Sequence, residues 1–259
     1  MKKRPLHVHV PFTILAERFD EIVEARINPE IYFDAESLDG ADTAQLGELA
    51  RGLRRNGLAA TFHGPYLSLN PGAPDERVRE LTVERYMQVL SAAAIFRPSV
   101  VVLHACYDER VYDGDRELWF SQSMKSWPAV ADEARRVGTV IAAENIFEEE
   151  PSTLERLVRA VDSKSFGVCL DSGHLNVFST VALERWFESV GSFIAEVHIH
   201  DNHGRYDEHL AVGDGTVDFP LFFSLLARYA SDPVCTIEPH GEDVLRRALD
   251  AVAPYLEIE

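Results

Sequence analysis

Cysteine is scarce in this sequence, with three residues among 259, and long apolar runs are missing. An odd number of widely spaced cysteines provides no disulfide framework, which favours a reducing, cytoplasmic setting. No window approaches the roughly 18 uninterrupted apolar residues of a membrane span. The stretch from Pro5 to Leu15 is broken by His7 and His9 and has no small-residue cleavage site, so we expect neither a membrane span nor a signal peptide. The three cysteines are Cys106, Cys169 and Cys235.

Positive charge is scarce too. Lys and Arg number 25 against 43 Asp and Glu, which gives a formal net charge of −18. Surfaces that bind nucleic acid through its phosphates normally cluster Lys and Arg, so this charge disfavours a nucleic-acid partner without excluding one. With 46% of its residues apolar, the chain still has enough material for a large buried core.

Eight short β-rich runs alternate with stretches of helical period, which is the pattern of βα units around a parallel sheet. The clearest helical stretch, Asp75 to Phe96, carries apolar residues at steps of three and four and precedes Pro98. The turn after the first strand reads Val-Pro-Phe-Thr and is not a glycine-rich phosphate loop, which disfavours the alternative of a doubly wound open sheet. We therefore expect a single (β/α)8 barrel domain over residues 1–259. The predicted strands are Leu6 to Val10, Glu30 to Phe33, Ala59 to His63, Val100 to His104, Val140 to Glu144, Gly167 to Asp171, Glu196 to His200 and Val234 to Glu238.

Ionisable residues stand at or near the ends of six successive predicted strands. A barrel collects the carboxyl ends of its strands at one mouth, so these side chains are expected to meet there. Four more candidates follow in the loops, and the Asp-x-His pair among them can chelate one ion from one side of an extended segment. Imidazole and carboxylate together suit Zn²⁺, Mn²⁺, Fe²⁺ or Co²⁺ better than Ca²⁺. The strand-end residues are His63, His104, Glu144, Asp171, His198 and Glu238, and the loop residues are His174, His200, Asp207 and His209.

The residue two positions before each strand end also faces the barrel lumen, because side chains alternate along a strand. Five of these six residues are small or medium in size, as expected of a packed layer beneath a polar site, and Glu196 is the exception. The six are Thr61, Val102, Ala142, Cys169, Glu196 and Thr236.

Each candidate ligand taken alone has an ordinary structural explanation, such as a buried histidine bonded to a carbonyl, but chance does not readily place so many at successive strand ends. Other polar residues are interpreted structurally. His7 and His9 are predicted to be core residues or supports for the ligands, and Glu148 to Glu150 to form a solvated loop. Arg205 and Gly213-Asp214-Gly215 are candidates for holding a phosphate or sugar hydroxyls, with a plain turn at least as well supported.

Several short motifs occur in a characteristic order. They are Phe62-His63-Gly64-Pro65-Tyr66, Leu103-His104, Ala143-Glu144-Asn145, Gly167-Val168-Cys169-Leu170-Asp171-Ser172-Gly173-His174, and His198-Ile199-His200-Asp201 before Asp207-Glu208-His209. At these residues, from about His63 to Glu238, the chain resembles the xylose isomerase-like barrel superfamily. That superfamily contains sugar and sugar-phosphate isomerases and epimerases together with the endonuclease IV type of AP endonuclease.

The isomerase and epimerase branch implies a single Mn²⁺-like ion held by Glu144, Asp171, His198 and Glu238. The two glutamates would move a proton off and onto the carbon beside a carbonyl while the metal polarises the oxygens. The resemblance places the metal on His198 and not His200 through the spacing to Asp201, although both histidines share one face of the strand. The substrate-binding candidates are His174, His200, Arg205 and Tyr66.

The endonuclease IV branch implies three Zn²⁺ ions that share nine ligands, and all nine have counterparts here. A multi-metal cluster of that kind suits attack on a phosphodiester. The chain departs from this branch where DNA would bind, since Ala-Cys-Tyr-Asp-Glu follows His104 in place of Pro-Gly-Ser and the loops are acidic. The nine counterparts are His63, His104, Glu144, Asp171, His174, His198, Asp207, His209 and Glu238.

We therefore expect a metal-dependent sugar or sugar-phosphate isomerase or epimerase that binds one to three divalent ions, with Zn or Mn favoured. The alternatives are an endonuclease IV-like phosphodiesterase and a metal-bound barrel that binds a small ligand without turnover. The substrate, its phosphorylation, the metal and the oligomeric state depend on loop shape and surface patches that the sequence does not display.

Overall fold

A computed structural model describes residues 2–3 and 6–258, and its centre is a closed barrel of eight parallel strands. The strands pair in chain order, and the last returns to pair with the first, so the sheet has no free edge. The predicted (β/α)8 barrel is confirmed. The strands, β1 to β8, are Leu6–Pro11, Asn28–Tyr32, Thr61–His63, Val100–His104, Val140–Glu144, Phe166–Asp171, Ile194–Ile199 and Val234–Ile237.

Helices fill the connections between the strands, and several connections contain more than one. A short antiparallel pair, Lys2–Lys3 with Glu257–Ile258, joins the two ends of the described chain. In the part of the chain that the structure describes, no helix is both long and apolar enough to cross a membrane. The helices, α1 to α13, are Phe12–Glu17, Phe19–Glu24, Ala35–Gly40, Thr43–Arg55, Glu76–Phe96, Glu109–Tyr112, Arg116–Ser123, Trp127–Val137, Ser152–Val161, Ser172–Phe178, Leu183–Val190, Phe219–Tyr229 and Glu242–Leu256, and Gly191–Phe193 forms a 3-10 turn.

The longest helix, α5, matches the predicted stretch with its first residue displaced by one. Asp75 is the N-cap, and its carboxylate accepts a hydrogen bond from the backbone N–H of Arg77. Such a cap satisfies one of the backbone donors that the first turn leaves open. The helix ends at Arg97, which adopts a left-handed φ of 59° immediately before Pro98.

Strand boundaries were predicted closely in the middle of the chain and less closely elsewhere. Val100–His104 and Val140–Glu144 have the predicted ends, whereas the strand predicted to begin at Glu196 begins two residues earlier. The register places His104 beside Glu144 and Asp171 beside His198. The register therefore brings these four candidate ligands to the mouth as two adjacent pairs.

The core has two layers. A large outer layer packs the helices against the strands, and a small inner layer inside the barrel contains Val102, Ala142 and Cys169 among others. All six residues predicted to face the lumen beneath the ligands are fully buried. Glu196 lies among them, where its carboxyl accepts hydrogen bonds from the hydroxyls of Thr61 and Thr236.

Candidate active site

The carboxyl ends of the strands surround a cavity of about 720 Å³. Its floor contains the imidazoles and carboxylates of several strands, and its outer wall contains aliphatic and aromatic side chains. Seven of the nine predicted metal ligands line it, and the other two, Asp171 and His198, are fully buried beneath.

At the centre of the floor, three carboxylates converge on one nitrogen. The Nδ1 atom of His198 lies 3.2 Å from Oε1 of Glu144, 3.4 Å from Oε1 of Glu238 and 3.8 Å from Oδ2 of Asp171. Four different strands thus bring one imidazole and three carboxylates together. We call these four residues the central group.

The orientation of the central group follows from local structure and from one distant contact. Asp171 caps helix α10, because its Oδ1 accepts the backbone N–H of His174 at 2.6 Å. On the far side of the His198 ring, Nε2 lies 3.1 Å from Oε2 of Glu30, a buried residue on β2. Burial alone would raise the pKa of Glu30, but His198 and His9 hold that pKa well below its ordinary value.

The electrostatics of the central group demand a positive charge. Burial alone would lower the pKa of His198, but the surrounding acidic groups raise that pKa well above its ordinary value. The same balance holds for His174, whose pKa is raised against its burial by Asp171, Asp207 and Glu144. A bound divalent cation would supply the positive charge that protons on these imidazoles otherwise supply. The hard oxygen and imidazole donors suit Mn²⁺ or Zn²⁺.

Three histidines beside the central group share a second feature that fits a metal. The Nδ1 atom of His63 donates to the carbonyl of Gly64 at 2.8 Å, that of His174 to the carbonyl of Asn145 at 2.9 Å, and that of His209 to the carbonyl of Glu238 at 3.1 Å. Because a carbonyl only accepts, each Nδ1 carries a proton, and each Nε2 is left to face the site. This is the usual support of a metal-binding imidazole.

The Nε2 atoms of these three histidines, and that of His104, point at carboxylates. His63 and His104 each place Nε2 3.2 Å from Oε2 of Glu144. On the other side, Oδ2 of Asp207 lies 3.3 Å from Nε2 of His174 and 2.9 Å from Nε2 of His209. A lone pair and a carboxylate oxygen repel at this distance unless a proton or a cation lies between them, so both groups are also suited to metal.

His200 faces a different direction from His198. Its Nε2 lies 3.0 Å from Oδ2 of Asp171. Its buried Nδ1 has no hydrogen-bond partner among the described residues and lies 3.5 Å from Oδ1 of Asp207. Its ring packs against Gly173 so closely that a Cβ there would lie 2.0 Å from the ring carbon Cε1. On its open side the ring stacks on His209 with centroids 4.0 Å apart.

The other two substrate-binding candidates differ in position. Tyr66 lines the cavity and stacks on His104, with ring centroids 4.6 Å apart. Arg205 is exposed and is not among the residues that line the cavity. A role for Arg205 in this site stays a prediction that the geometry does not support.

One loop interpretation was wrong, and for a second loop the structure selects one of the two alternatives, the plain turn. Glu148 was predicted to be solvated but is 2% exposed, and its Oε2 accepts the backbone N–H of Ile146 at 2.7 Å. Burial raises the pKa of Glu148 to about 7. The glycines of Gly213-Asp214-Gly215 do not form an open anion cradle, because their N–H groups donate to the carboxylate of Asp201 at 2.9 and 2.8 Å. That segment is a turn closed by Asp201.

Three residues near the site were not predicted as part of it. Glu30 supports His198, Tyr32 lines the cavity, and His240 stacks on His209 with centroids 4.0 Å apart. Glu30 had one signal in the sequence, since it is an acidic residue directly before the apolar run Ile31-Tyr32-Phe33. His9, predicted as a core or supporting residue, contacts both Glu30 at 3.0 Å and Glu238 at 3.2 Å.

Comparisons with known proteins agree with the barrel. A family model described as xylose isomerase-like TIM barrel matches residues 28–255. The uncharacterized protein MJ1311 of Methanocaldococcus jannaschii is 30% identical over 204 residues, which cover 76% of this chain and 69% of that protein. Among solved structures, a D-tagatose 3-epimerase-like protein is 25% identical, covers 97% of both chains and has a TM-score of 0.84. The IolI protein with a binding zinc atom is 17% identical, covers 98% of this chain and 100% of that chain, and has a TM-score of 0.81.

Proposed function

Because the chain belongs to the xylose isomerase-like TIM barrel family, we propose that it is a metal-dependent isomerase or epimerase. It would move a proton at the carbon beside the carbonyl of a small sugar or polyol. The observation that carries the proposal is the convergence of Glu144, Asp171 and Glu238 on Nδ1 of His198 at the floor of a cavity. The likeness to a D-tagatose 3-epimerase-like protein supports the same chemistry.

The residues present fit a divalent ion, and Glu144, Asp171, His198 and Glu238 would hold it. A bound Mn²⁺ or Zn²⁺ would supply Lewis-acid polarisation of the substrate's carbonyl and hydroxyl oxygens. Glu30 fixes the ring of His198 from behind, so that Nδ1 faces the three carboxylates. His200 is assigned to the support of Asp171, through the contact of its Nε2 with Oδ2.

The two glutamates of the central group are the proposed proton carriers. Burial alone would raise the pKa values of Glu144 and Glu238, but the surrounding imidazoles hold both values well below the ordinary one and so favour the ionised carboxylates. One ionised glutamate takes the proton from the substrate carbon, which leaves an enediolate. A proton from solvent reaches that carbon through the other glutamate, and the first glutamate releases its proton to solvent. His174 and Tyr66, at the cavity wall, are placed to hold substrate hydroxyls.

The test is exchange of substrate hydrogen with solvent. Metal-loaded enzyme is incubated in D₂O with a panel of free ketopentoses and ketohexoses, and deuterium at the carbon beside the carbonyl is followed by NMR. We expect exchange in the wild type and in the exposed control Glu149→Gln, and its loss in Glu144→Gln and Glu238→Gln. Exchange that persists in both active-site variants contradicts the assignment of the proton carriers. No exchange with any ketose, even after keto-glycosides are added to the panel, contradicts the proposed reaction.

A second candidate function, phosphodiester cleavage by several metal ions, is favoured by one specific observation. His63 and His104 form a possible metal-binding group with Glu144, and Asp207 lies between Nε2 of His174 and Nε2 of His209 on the other side of the central group. Against it, in the described part of the chain no Lys or Arg lines the cavity to bind a phosphate backbone.

Metal stoichiometry and a nicking assay separate the two candidates. One tightly bound ion per chain and no cleavage of a duplex with an abasic site support the epimerase. Three bound Zn²⁺ ions and nicking at low and moderate salt support the phosphodiesterase. A fully loaded protein that shows neither exchange nor cleavage, yet is stabilised by a ligand, is the binding barrel without turnover.

A further inference from the structure

The cavity has two chemically different halves. The metal-binding groups occupy its floor, and its outer part is apolar. We call this outer part the distal wall, and it consists of Tyr66, Leu67, Leu69, Val111, Phe147 and Phe178. Leu67 is 74% exposed, Val111 69% and Phe147 39%, so the wall presents uncovered apolar surface beside the site.

The distal wall contains no positively charged side chain that could bind an anion. Among the residues that the structure describes, no Lys or Arg lines the cavity, whereas Asp108, Glu144, Asp207 and Glu238 all line it. The guanidinium of Arg110 lies 5.6 Å from the centre of the Phe147 ring and is held by both oxygens of Asp108 at 3.0 and 2.9 Å. A phosphate group away from the metal would meet no charged hydrogen-bond donor here and would be repelled by the carboxylates.

The size of the cavity exceeds the need of a single sugar ring. Cavities of roughly 300–1,000 Å³ enclose drug-sized molecules, and this one measures about 720 Å³. A monosaccharide is smaller than such molecules, and it has no apolar face large enough to cover the distal wall. The aromatic members of the wall are arranged to pack against another ring, since Phe147 and Phe178 already meet edge to face with centroids 5.1 Å apart.

We propose that the substrate is a two-part molecule, an unphosphorylated sugar or keto-polyol that carries an uncharged aromatic group. This inference rests on the proposed function for the position of the sugar part at the floor. The aromatic group packs on the distal wall, where it covers Leu67, Val111 and Phe147. The distal wall thereby selects keto sugars that carry an aryl group over free keto sugars and excludes sugar phosphates. An aryl glycoside without a ketone binds in the same way but has no carbonyl to react.

The test is a set of binding measurements that need no turnover. Phenyl β-D-glucopyranoside, D-glucose and D-glucose 6-phosphate are titrated into the metal-loaded protein by isothermal calorimetry. Burial of a phenyl ring predicts that the glucoside binds about tenfold or more tightly than glucose. Glucose 6-phosphate is expected to bind no better than glucose. Equal affinity for glucoside and glucose, or a phosphate preference, overturns the proposal.

Variants of the distal wall locate the effect. Leu67→Ser with Val111→Ser changes two exposed side chains, so the fold is expected to be unaffected, and the preference for the glucoside should be lost while the affinity for glucose is kept. Leu81→Ser, on helix α5 and outside the cavity lining, is the matched control because Leu81 is also exposed. A glucoside preference that survives the double variant overturns the assignment to the wall.

Failure of this inference and failure of the proposed function are distinguishable. An aryl preference without any solvent exchange supports the distal wall and contradicts the isomerase reaction. Solvent exchange with free ketoses, together with no aryl preference, supports the reaction and contradicts the distal wall.

Discussion

At the scale of single residues, the site depends on which nitrogen of each histidine faces inward. Backbone carbonyls hold Nδ1 of His63, His174 and His209, so Nε2 faces the carboxylates. His198 is held the other way, by the carboxylate of Glu30 at Nε2, and it turns Nδ1 to the central group. The partner of each ring, and not the histidine itself, therefore decides how it meets a metal.

Replacement of Glu30 tests that statement. Glu30→Gln keeps the size of the side chain but removes the carboxylate that supports His198. We expect metal affinity to fall about 10- to 100-fold, as measured by competition of the protein with a chelator for Mn²⁺ or Zn²⁺. Glu24→Gln, an exposed acid, is the control and should bind metal as the wild type does. Unchanged affinity in Glu30→Gln would show that His198 needs no such support.

Replacement of Gly173 tests the close packing of His200. A Cβ at this position would lie 2.0 Å from the His200 ring, so the ring must move away from Asp171. We expect Gly173→Ala to lower the free energy of unfolding by about 1–3 kcal/mol, as measured by urea denaturation. Gly40→Ala is the control, because nothing lies within 4 Å of the added methyl. The two variants should differ clearly in stability, and equal stability contradicts the geometry.

At the scale of elements, each functional residue is placed by the end of a strand and the loop that follows. The strand Val140–Glu144 ends in a ligand, and the loop after it turns Glu148 back into the protein, where Ile146 donates its N–H to the carboxylate. The strand Phe166–Asp171 passes directly into helix α10, and Asp171 serves as both N-cap and candidate ligand. The backbone geometry at the end of a strand therefore also sets the direction of the side chain at that position.

Glu148 gives the loop after β5 a pH dependence. Its folded pKa of about 7 exceeds the ordinary value of 4.5, so the protein is stabilised below pH 4.5 relative to higher pH. That stabilisation is lost as the pH rises from 4.5 through 7. Across this window the free energy of unfolding of the wild type should fall by something on the order of 3 kcal/mol through Glu148, and Glu148→Gln should not show this fall. The measurement is urea denaturation of metal-free protein at a series of pH values, with Glu149→Gln as control. If the free energy of unfolding of Glu148→Gln varies with pH as that of the wild type does, the Glu148 carboxyl does not titrate as a buried group.

At the scale of the whole molecule, the closed barrel gathers carboxylates against their mutual repulsion. The chain has a formal charge of −18, and several of its acidic groups meet within one cavity. The central group holds three of them near one nitrogen. A cation that binds only the folded barrel therefore stabilises the entire fold.

Metal removal tests this coupling. Protein treated with a chelator should unfold at lower urea than protein supplied with Mn²⁺ or Zn²⁺. At a free metal concentration of 100 times the dissociation constant, the expected gain is about 2.7 kcal/mol. In Glu144→Gln with Glu238→Gln the added metal should stabilise much less. If wild-type protein unfolds identically with and without metal, the site does not hold an ion at these concentrations.

The sequence by itself determined the barrel and most of the rim. Strand and helix periods are local signals, and the end of a strand is also the place where a barrel gathers side chains, so His104, Glu144 and Asp171 were predicted with their neighbours. The family motifs added a preference for His198 over His200, and the geometry is consistent with it. The assignment of every ligand stays a prediction.

Only the tertiary structure decided the orientation and surroundings of those side chains. Glu30 contacts His198 across 168 positions of the chain, and the local hydrophobic periodicity of the sequence does not indicate such a contact. The burial of Glu148 and the exposure of Arg205 likewise depend on how loops fold over the barrel mouth. Periodicity reports which face of a strand is buried, whereas a hydrogen bond between distant strands depends on the closure of the whole sheet. That closure is a property of the complete fold and not of any one segment.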